Sequence, residues 1–124
     1  MSDAERQARG AKVLSEMLGD QAERVRQTWR EICPEFEEYV IGLVAGEFWA
    51  RPGLDRRTKS LVTIATLAAQ GRTLGLELNI RMALNNGATR QEVIETLLHI
   101  APYAGFPACW EGLALAKKVF EASS

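Results

Sequence analysis

A chain of 124 residues with 16 acidic and 15 basic side chains has a formal charge of −1, which excludes a basic nucleic-acid surface or a polybasic membrane patch. Apolar residues at 47% and charged residues at 25% are the balance of an ordinary globular chain, and the length suits one domain over residues 1–124. No apolar run approaches the ~20 residues of a membrane span, and the charged start MSDAERQARG lacks a signal peptide's apolar core, so a soluble cytoplasmic protein is expected.

Helix signals follow one another along the chain. Ser2 or Asp3 caps a first helix to about Leu18, closed by Gly19. Asp20 with Glu23 starts a second, through about Glu31. Pro34 opens a third as its first residue, turning Phe36, Tyr39, Val40, Leu43 and Val44 inward and ending near Trp49. Pro52-Gly53 is a turn, and Asp55 caps a central helix. There Leu61, Val62, Ile64, Ala65, Leu67, Ala68 and Ala69 leave no broad polar face. A helix apolar all round is wrapped by others or shared between subunits. Gly71 ends it, and a fifth helix over about 73–86 stops at Asn85-Asn86-Gly87, where glycine takes the left-handed conformation without a Cβ penalty. Thr89 and Glu92 form a capping box for a sixth helix to about Ala101. Pro102 ends or kinks it, 103–106 is a loop, and Pro107 opens the last helix to near Phe120. The class is all-α, six or seven helices packed on a central hairpin. Trp29 and Trp110 read as packing residues. Cys33 and Cys109 are far apart and no C-x-x-C occurs, so neither a zinc knuckle nor a thioredoxin-like redox pair is available; no metal and two reduced thiols are expected.

Two helices carry polar candidates. On the sixth, Val93, Ile94, Leu97, Leu98, Ile100 and Ala101 form one apolar arc, with His99 opposite it and Glu95 within side-chain reach of His99. That histidine is either an exposed side chain among solvated neighbours or an acid/base group. On the fifth, Asn79 shares a face with Gly75, Met82 and Ala83. It either bonds a backbone group in a tight helix contact or faces a ligand. Glu77 and Arg81 are spaced for an ion pair.

The stretch Gly46-Glu47-Phe48-Trp49-Ala50-Arg51-Pro52-Gly53-Leu54-Asp55 is recognisable. With Ala83-Leu84-Asn85-Asn86-Gly87-Ala88-Thr89-Arg90-Gln91-Glu92, Tyr103-Ala104-Gly105-Phe106-Pro107, Arg9-Gly10 and Leu18-Gly19, it makes nearly the whole chain resemble the γ-carboxymuconolactone decarboxylase family. The resemblance implies a small all-helical subunit in a ring-shaped homo-oligomer, a hexamer or trimer. It also implies cofactor-free chemistry on a small carboxylated lactone. The related alkylhydroperoxidase D branch uses a C-x-x-C pair that this chain lacks, so thiol peroxidase activity is not expected. The family's E-L-x-x-H in the fifth helix is replaced by Gly75-Leu76-Glu77-Leu78-Asn79, and Lys59 stands where an arginine is usual; His99 is the one imidazole.

In the family reaction the substrate is its own electron sink. The protein must hold carboxylates, stabilise a developing oxyanion and return a proton to carbon. For these tasks the sequence offers His99 and Glu47 as acid/base groups, Asn79 as an oxyanion donor, Arg51 as a carboxylate clamp, and Trp49 and Tyr103 as walls. Each has a plainer structural role open to it: an exposed histidine, a helix-end charge, an ion pair at the 52–53 turn, or core packing. The leading expectation is a decarboxylase acting on a lactone of the 4-carboxymuconolactone type. The alternatives are isomerisation or hydrolysis of a related unsaturated ring acid, or a non-catalytic oligomeric binding protein.

Overall fold

Ser2 begins the first helix: in a computed structural model describing residues 2–123, its Oγ accepts from the Glu5 N–H at 3.1 Å, and α1 runs Asp3–Leu18. Gly19, at φ 58°, closes it and leads into a single 3₁₀ turn, Gly19–Gln21. There follow α2 (Ala22–Ile32) and α3 (Pro34–Tyr39), which continues without a break as a π-helical segment, Val40–Trp49. Then come α4 (Arg56–Ala69), α5 (Thr73–Asn85), α6 (Arg90–His99), the single turn α7 (Ala101–Ala104) and α8 (Phe106–Ala122). The described residues contain no strand, so the class is all-α, and none of their helices is long and apolar enough to cross a membrane. The chain folds as two compact units, Met1–Leu54 and Asp55–Ser124.

In the first unit α1 lies against the π-helical segment at very short range. A Cβ on Gly10 would fall inside the Ile41 carbonyl, and one on Gly46 would lie 2.6 Å from the Arg6 carbonyl oxygen. Backbone touches backbone at Gly10 and Gly46, and the segment buries Ile41, Gly42, Ala45 and Gly46 where α1 buries Gly10, Val13, Leu14 and Met17. This corrects the expected face of the third helix. Phe36, Tyr39, Leu43 and Val44 point outward, and the segment buries Ile41, Gly42, Ala45 and Gly46 instead. Replacing Gly10 by Ala therefore costs about 1–3 kcal/mol of overpacking. Thermal denaturation of Gly10→Ala checks it, and an unchanged melting temperature would contradict the contact.

The inward position of α3 is taken by an acid. Glu37, 7% exposed, accepts from Arg30 Nε at 3.0 Å, Arg30 Nη2 at 2.7 Å and Arg26 Nε at 2.9 Å. Arg30, then Arg26, holds the Glu37 carboxyl below the ordinary carboxylate range against the opposing effect of burial. Trp29 packs edge-on against Phe36, ring centres 6.0 Å apart.

The second unit is built around Ile64, Leu76, Ile80, Val93, Leu97 and Val119, with Cys109 buried among them. Asp55 caps α4, accepting from the Thr58 N–H at 2.7 Å. The predicted capping box is present on α6: Thr89 Oγ1 accepts from the Glu92 N–H, and Glu92 accepts from the Thr89 N–H. Glu92 also takes the Arg57 guanidinium, which ties the start of α4 to the start of α6. At the same end of the hairpin Asn86 Nδ2 donates to the buried Ser60 Oγ at 2.9 Å, and Gly87 turns the chain at φ 99°. Helix α4 is buried only along Ser60, Ile64 and Ala68, while Val62 is 55% exposed. Helices α5, α6 and α8 cover one side of it. Two smaller expectations change. In the expected 103–106 loop, Tyr103 and Ala104 belong to α7, Gly105 ends it at φ 99° and Phe106 opens α8. Trp110 is 75% exposed, where core packing was expected, because α8 buries Cys109, Gly112, Ala116 and Val119 and so faces Trp110 outward.

Candidate active site

The first unit holds a cleft of about 740 Å³ between the N-terminal half of α1 and the outer face of the π-helical segment. Its apolar wall is Tyr39, Leu43 and Phe48, all at least half exposed. Its polar lining is Asp3, Arg6, Gln7, Glu38, Glu47 and Arg51. Concave, largely apolar space with a few convergent polar groups is the signature of a small-molecule site. The large side chains that the Gly10–Gly46 contact turns outward make this wall, so the same tight packing that stabilises the unit also shapes the cleft.

Glu47 is the centre of the polar wall. Its Oε1 accepts from Arg6 Nε at 2.7 Å and lies 3.6 Å from Arg9 Nη2. Arg9 is itself anchored, donating from Nε to the Gly46 carbonyl at 2.7 Å. Arg6 also reaches Asp3 Oδ1 from Nη1 at 3.0 Å. Its guanidinium is held further above the ordinary value, chiefly by the Glu47 hydrogen bond. Yet the Arg6 and Glu47 side chains stay 38% and 36% exposed, open to a ligand entering the cleft. Trp49 is half-buried, and Phe48, not Trp49, lines the cleft.

In the second unit, Asn79 Nδ2 donates to the Gly75 carbonyl at 2.8 Å, the plainer of its two expected roles, with the side chain half-buried. A Cβ on Gly75 would stand 3.6 Å from Leu67 Cδ1, an ordinary contact, so packing does not require glycine there. His99 is exposed at the end of α6, its ring tilted against that of Tyr103 at 5.7 Å between centres. Glu95 does not pair with His99 but accepts from Gln91 Nε2 at 2.9 Å. Glu77 pairs with Lys118 of α8 at 2.6 Å, and this partner, more than Arg81, holds its carboxyl below the ordinary range. Both cysteines are free thiols, and no three His, Cys, Asp or Glu side chains among the described residues are grouped to hold a metal ion.

Residues 34–118 match the model of the carboxymuconolactone decarboxylase family. The chain belongs to this family. It is 38% identical over 122 residues to a 4-carboxymuconolactone decarboxylase of Acinetobacter baylyi, covering 98% of this chain and 91% of that protein. It is also 38% identical over 112 residues to a nitrosuccinic acid decarboxylase of Metarhizium robertsii, covering 88% of this chain and 77% of that one. Within this family member, sequence reasoning singled out Glu47 and Arg51 but missed Arg6, Tyr39 and Phe48 as their neighbours. The missed signal was faint: Arg6 precedes the Arg9-Gly10 pair by one helical turn, on the face that glycine brings against the partner helix.

Proposed function

We propose that the chain is a carboxy-lyase whose substrate is a small acid carrying its own electron sink. The observation that carries this reading is the first unit's cleft, where an arginine–carboxylate pair at 2.7 Å and Arg51 face an apolar wall. The names of the two relatives point the same way. Carboxymuconolactone and nitrosuccinic acid differ in skeleton but share a carboxylate placed so that its bonding electrons can pass into an unsaturated lactone or a nitro group. In the step proposed, the bond from carbon to the leaving carboxylate breaks and its electron pair moves into that sink. CO2 departs, and the Glu47 carboxylate, having first taken up a proton from solvent, delivers that proton to the carbon and ends ionised as it began. The chemistry needs no cofactor, since the substrate supplies the sink. Arg51 would hold a carboxylate bidentately, and the rings of Tyr39 and Phe48 would exclude water around the reacting carbon.

In the second unit the alternative proton carrier is His99, with Tyr103 as its neighbour, and Asn79 is a candidate oxyanion donor there through its remaining amide proton. A homo-oligomer is supported by the apolar surface of the second unit. Leu98, Phe106 and Trp110 line a groove of about 400 Å³, and Tyr103 and Leu74 are more than four-fifths exposed. Light scattering on the purified protein measures the assembly, for which a trimer or hexamer is expected.

The deciding assay follows CO2 release from 4-carboxymuconolactone and from nitrosuccinate, with wild type and His99→Ala. Turnover of either acid supports the carboxy-lyase reading. A folded protein that releases CO2 from neither loses it. Isomerisation or ring opening of the lactone without CO2 release, abolished by His99→Ala, would favour the second chemistry that the sole imidazole permits.

A further inference from the structure

Arg6 and Arg9 lie one turn apart on α1, and both reach the same carboxylate oxygen. Arg6 Nε donates to Glu47 Oε1 at 2.7 Å, and Arg9 Nη2 stands 3.6 Å from it, an ion-pair distance. Of the two, Arg6 lines the cleft and Arg9 does not. Their holds differ. Arg6 is shared with Asp3, whose side chain is 98% exposed, so its other tie is to a group in water. Arg9 is tied to backbone, donating from Nε to the Gly46 carbonyl at 2.7 Å. That carbonyl is in the last turn of the π-helical segment, where carbonyls run out of helical donors. The N–H groups placed to continue the ladder onto it, those of Ala50 and Arg51, both donate to the Phe48 carbonyl. Arg9 therefore caps the segment one residue before Glu47, and a cation suits that end of a helix. Gly46 is pinned by α1 backbone as well, since a Cβ on it would stand 2.6 Å from the Arg6 carbonyl oxygen.

We propose that Arg9 is the positioning residue of this cleft: with one end of its guanidinium it holds the backbone before Glu47, and with the other it steadies the Glu47 carboxylate against Arg6. The inference rests on the carboxy-lyase reading, in which Glu47 carries the proton to carbon, and names the residue that aims it. Arg9 stays outside the cleft and acts only through Glu47. Its planar fork presents two donor edges in a fixed relation, one to a carbonyl and one toward a carboxylate, which a flexible point charge cannot do. The Arg6–Glu47 pair alone does not fix the carboxylate. Both side chains are more than a third exposed, and pairs of that kind are weak and screened by water. Proton delivery to carbon demands close placement, and a misplacement of about 1 Å costs on the order of 10²-fold in rate.

Two measurements on the intact protein test this, one with turnover and one without. Arg9→Gln should lower kcat for the acid that is decarboxylated by about 10–10²-fold. KM should hold within about twofold, because Arg9 does not line the cleft. In a Glu47→Gln background the same substitution should cost no further kcat, since two residues acting as one unit are not additive. A merely structural Arg9 would lower kcat by the same factor in both backgrounds. The Arg9 side chain is 39% exposed, so the variants are expected to fold. Arg9→Lys keeps the charge without the fork, recovers part of kcat, and stands in if the glutamine variant does not fold. Without turnover, NMR of the arginine side chains reads the Arg6 Nε–H that Glu47 accepts, assigned by its loss in Arg6→Lys. In both Arg9 variants that signal should shift and exchange faster with water. An Arg6 signal indifferent to Arg9, a raised KM with kcat intact, or an equal loss of kcat in both backgrounds overturns the proposal. If CO2 is released and the Arg6 signal ignores Arg9, the positioning role falls and the carboxy-lyase reading stands. If the Arg6 signal follows Arg9 and no acid is turned over, that reading falls and Arg9 still places Glu47.

Discussion

Glu37→Gln should lower stability by about 2–3 kcal/mol at neutral pH, a fall of roughly 10 °C in melting temperature for a chain of this size. The magnitude follows from what the substitution leaves behind. Glu37 is 7% exposed and joins α2 to α3 through three hydrogen bonds from Arg26 and Arg30. With the charge removed, two guanidiniums remain at a buried site. Breaking a fully buried pair costs about 3–5 kcal/mol; the figure here is smaller because the Arg30 side chain is 44% exposed and water screens it. The pH dependence has a fixed sign. The folded-state carboxyl lies below its ordinary value of 4.5, chiefly through Arg30. Its contribution is therefore complete above about pH 4.5 and is lost as pH falls through the folded value. The glutamine variant has no such contribution to lose. Melting curves of the two proteins should lie well apart at pH 7 and converge below pH 4.5. Asp55 and Glu77 also sit below their ordinary values and titrate in both proteins, so the difference between the curves isolates Glu37. A gap that stays constant down to pH 3 would show that Glu37 acts by shape and not by charge.

Helix boundaries were legible where a single side chain decides them. Ser2, Asp55 and the Thr89–Glu92 box are short-range devices, complete within one turn, and each stands where its spacing predicted. The inward faces were less legible, because they depend on what lies opposite. The third helix was read with large side chains inward, as ordinary helical periodicity suggests. Gly10 and Gly46 bring two backbones into contact, and the segment is π-helical over Val40–Trp49, which shifts the register. Nothing in Gly46 alone announces a partner in α1. One ion pair failed for the same reason: Glu77 had Arg81 within its own helix, but Lys118, distant in sequence, took it. Glu95 was taken by Gln91, one turn earlier on the same helix. For the site, the motif around Glu47 pointed to a stretch that lines the cleft, while Arg6 could be found only once α1 was placed beside it. The full apolar surface of α4 was read correctly as composition, but a single chain buries one stripe of it.

Glu47→Gln should reduce kcat for the acid that the enzyme decarboxylates by about 10²–10⁴-fold, the range for removing a positioned general acid or base. The competing explanation, that the variant is merely unfolded, is answered by the geometry. The Arg6–Glu47 pair is more than a third exposed on both sides, and pairs of that kind contribute about 1 kcal/mol or less to stability. The melting temperature should therefore move by only a few degrees while turnover collapses. The amide keeps the size and hydrogen-bonding shape of the carboxyl, so the cleft walls of Tyr39, Leu43 and Phe48 remain in place. KM should not rise, because Arg6 still presents its guanidinium and has lost a competing anion. Steady-state kinetics with calorimetric binding of a non-reacting carboxylate separate these effects. A lower kcat with an unchanged or lower KM assigns Glu47 to the proton transfer. A raised KM with kcat intact would instead make it a binding group. Full activity in Glu47→Gln would remove the carboxyl from the chemistry and leave His99, in the second unit, as the proton carrier to pursue.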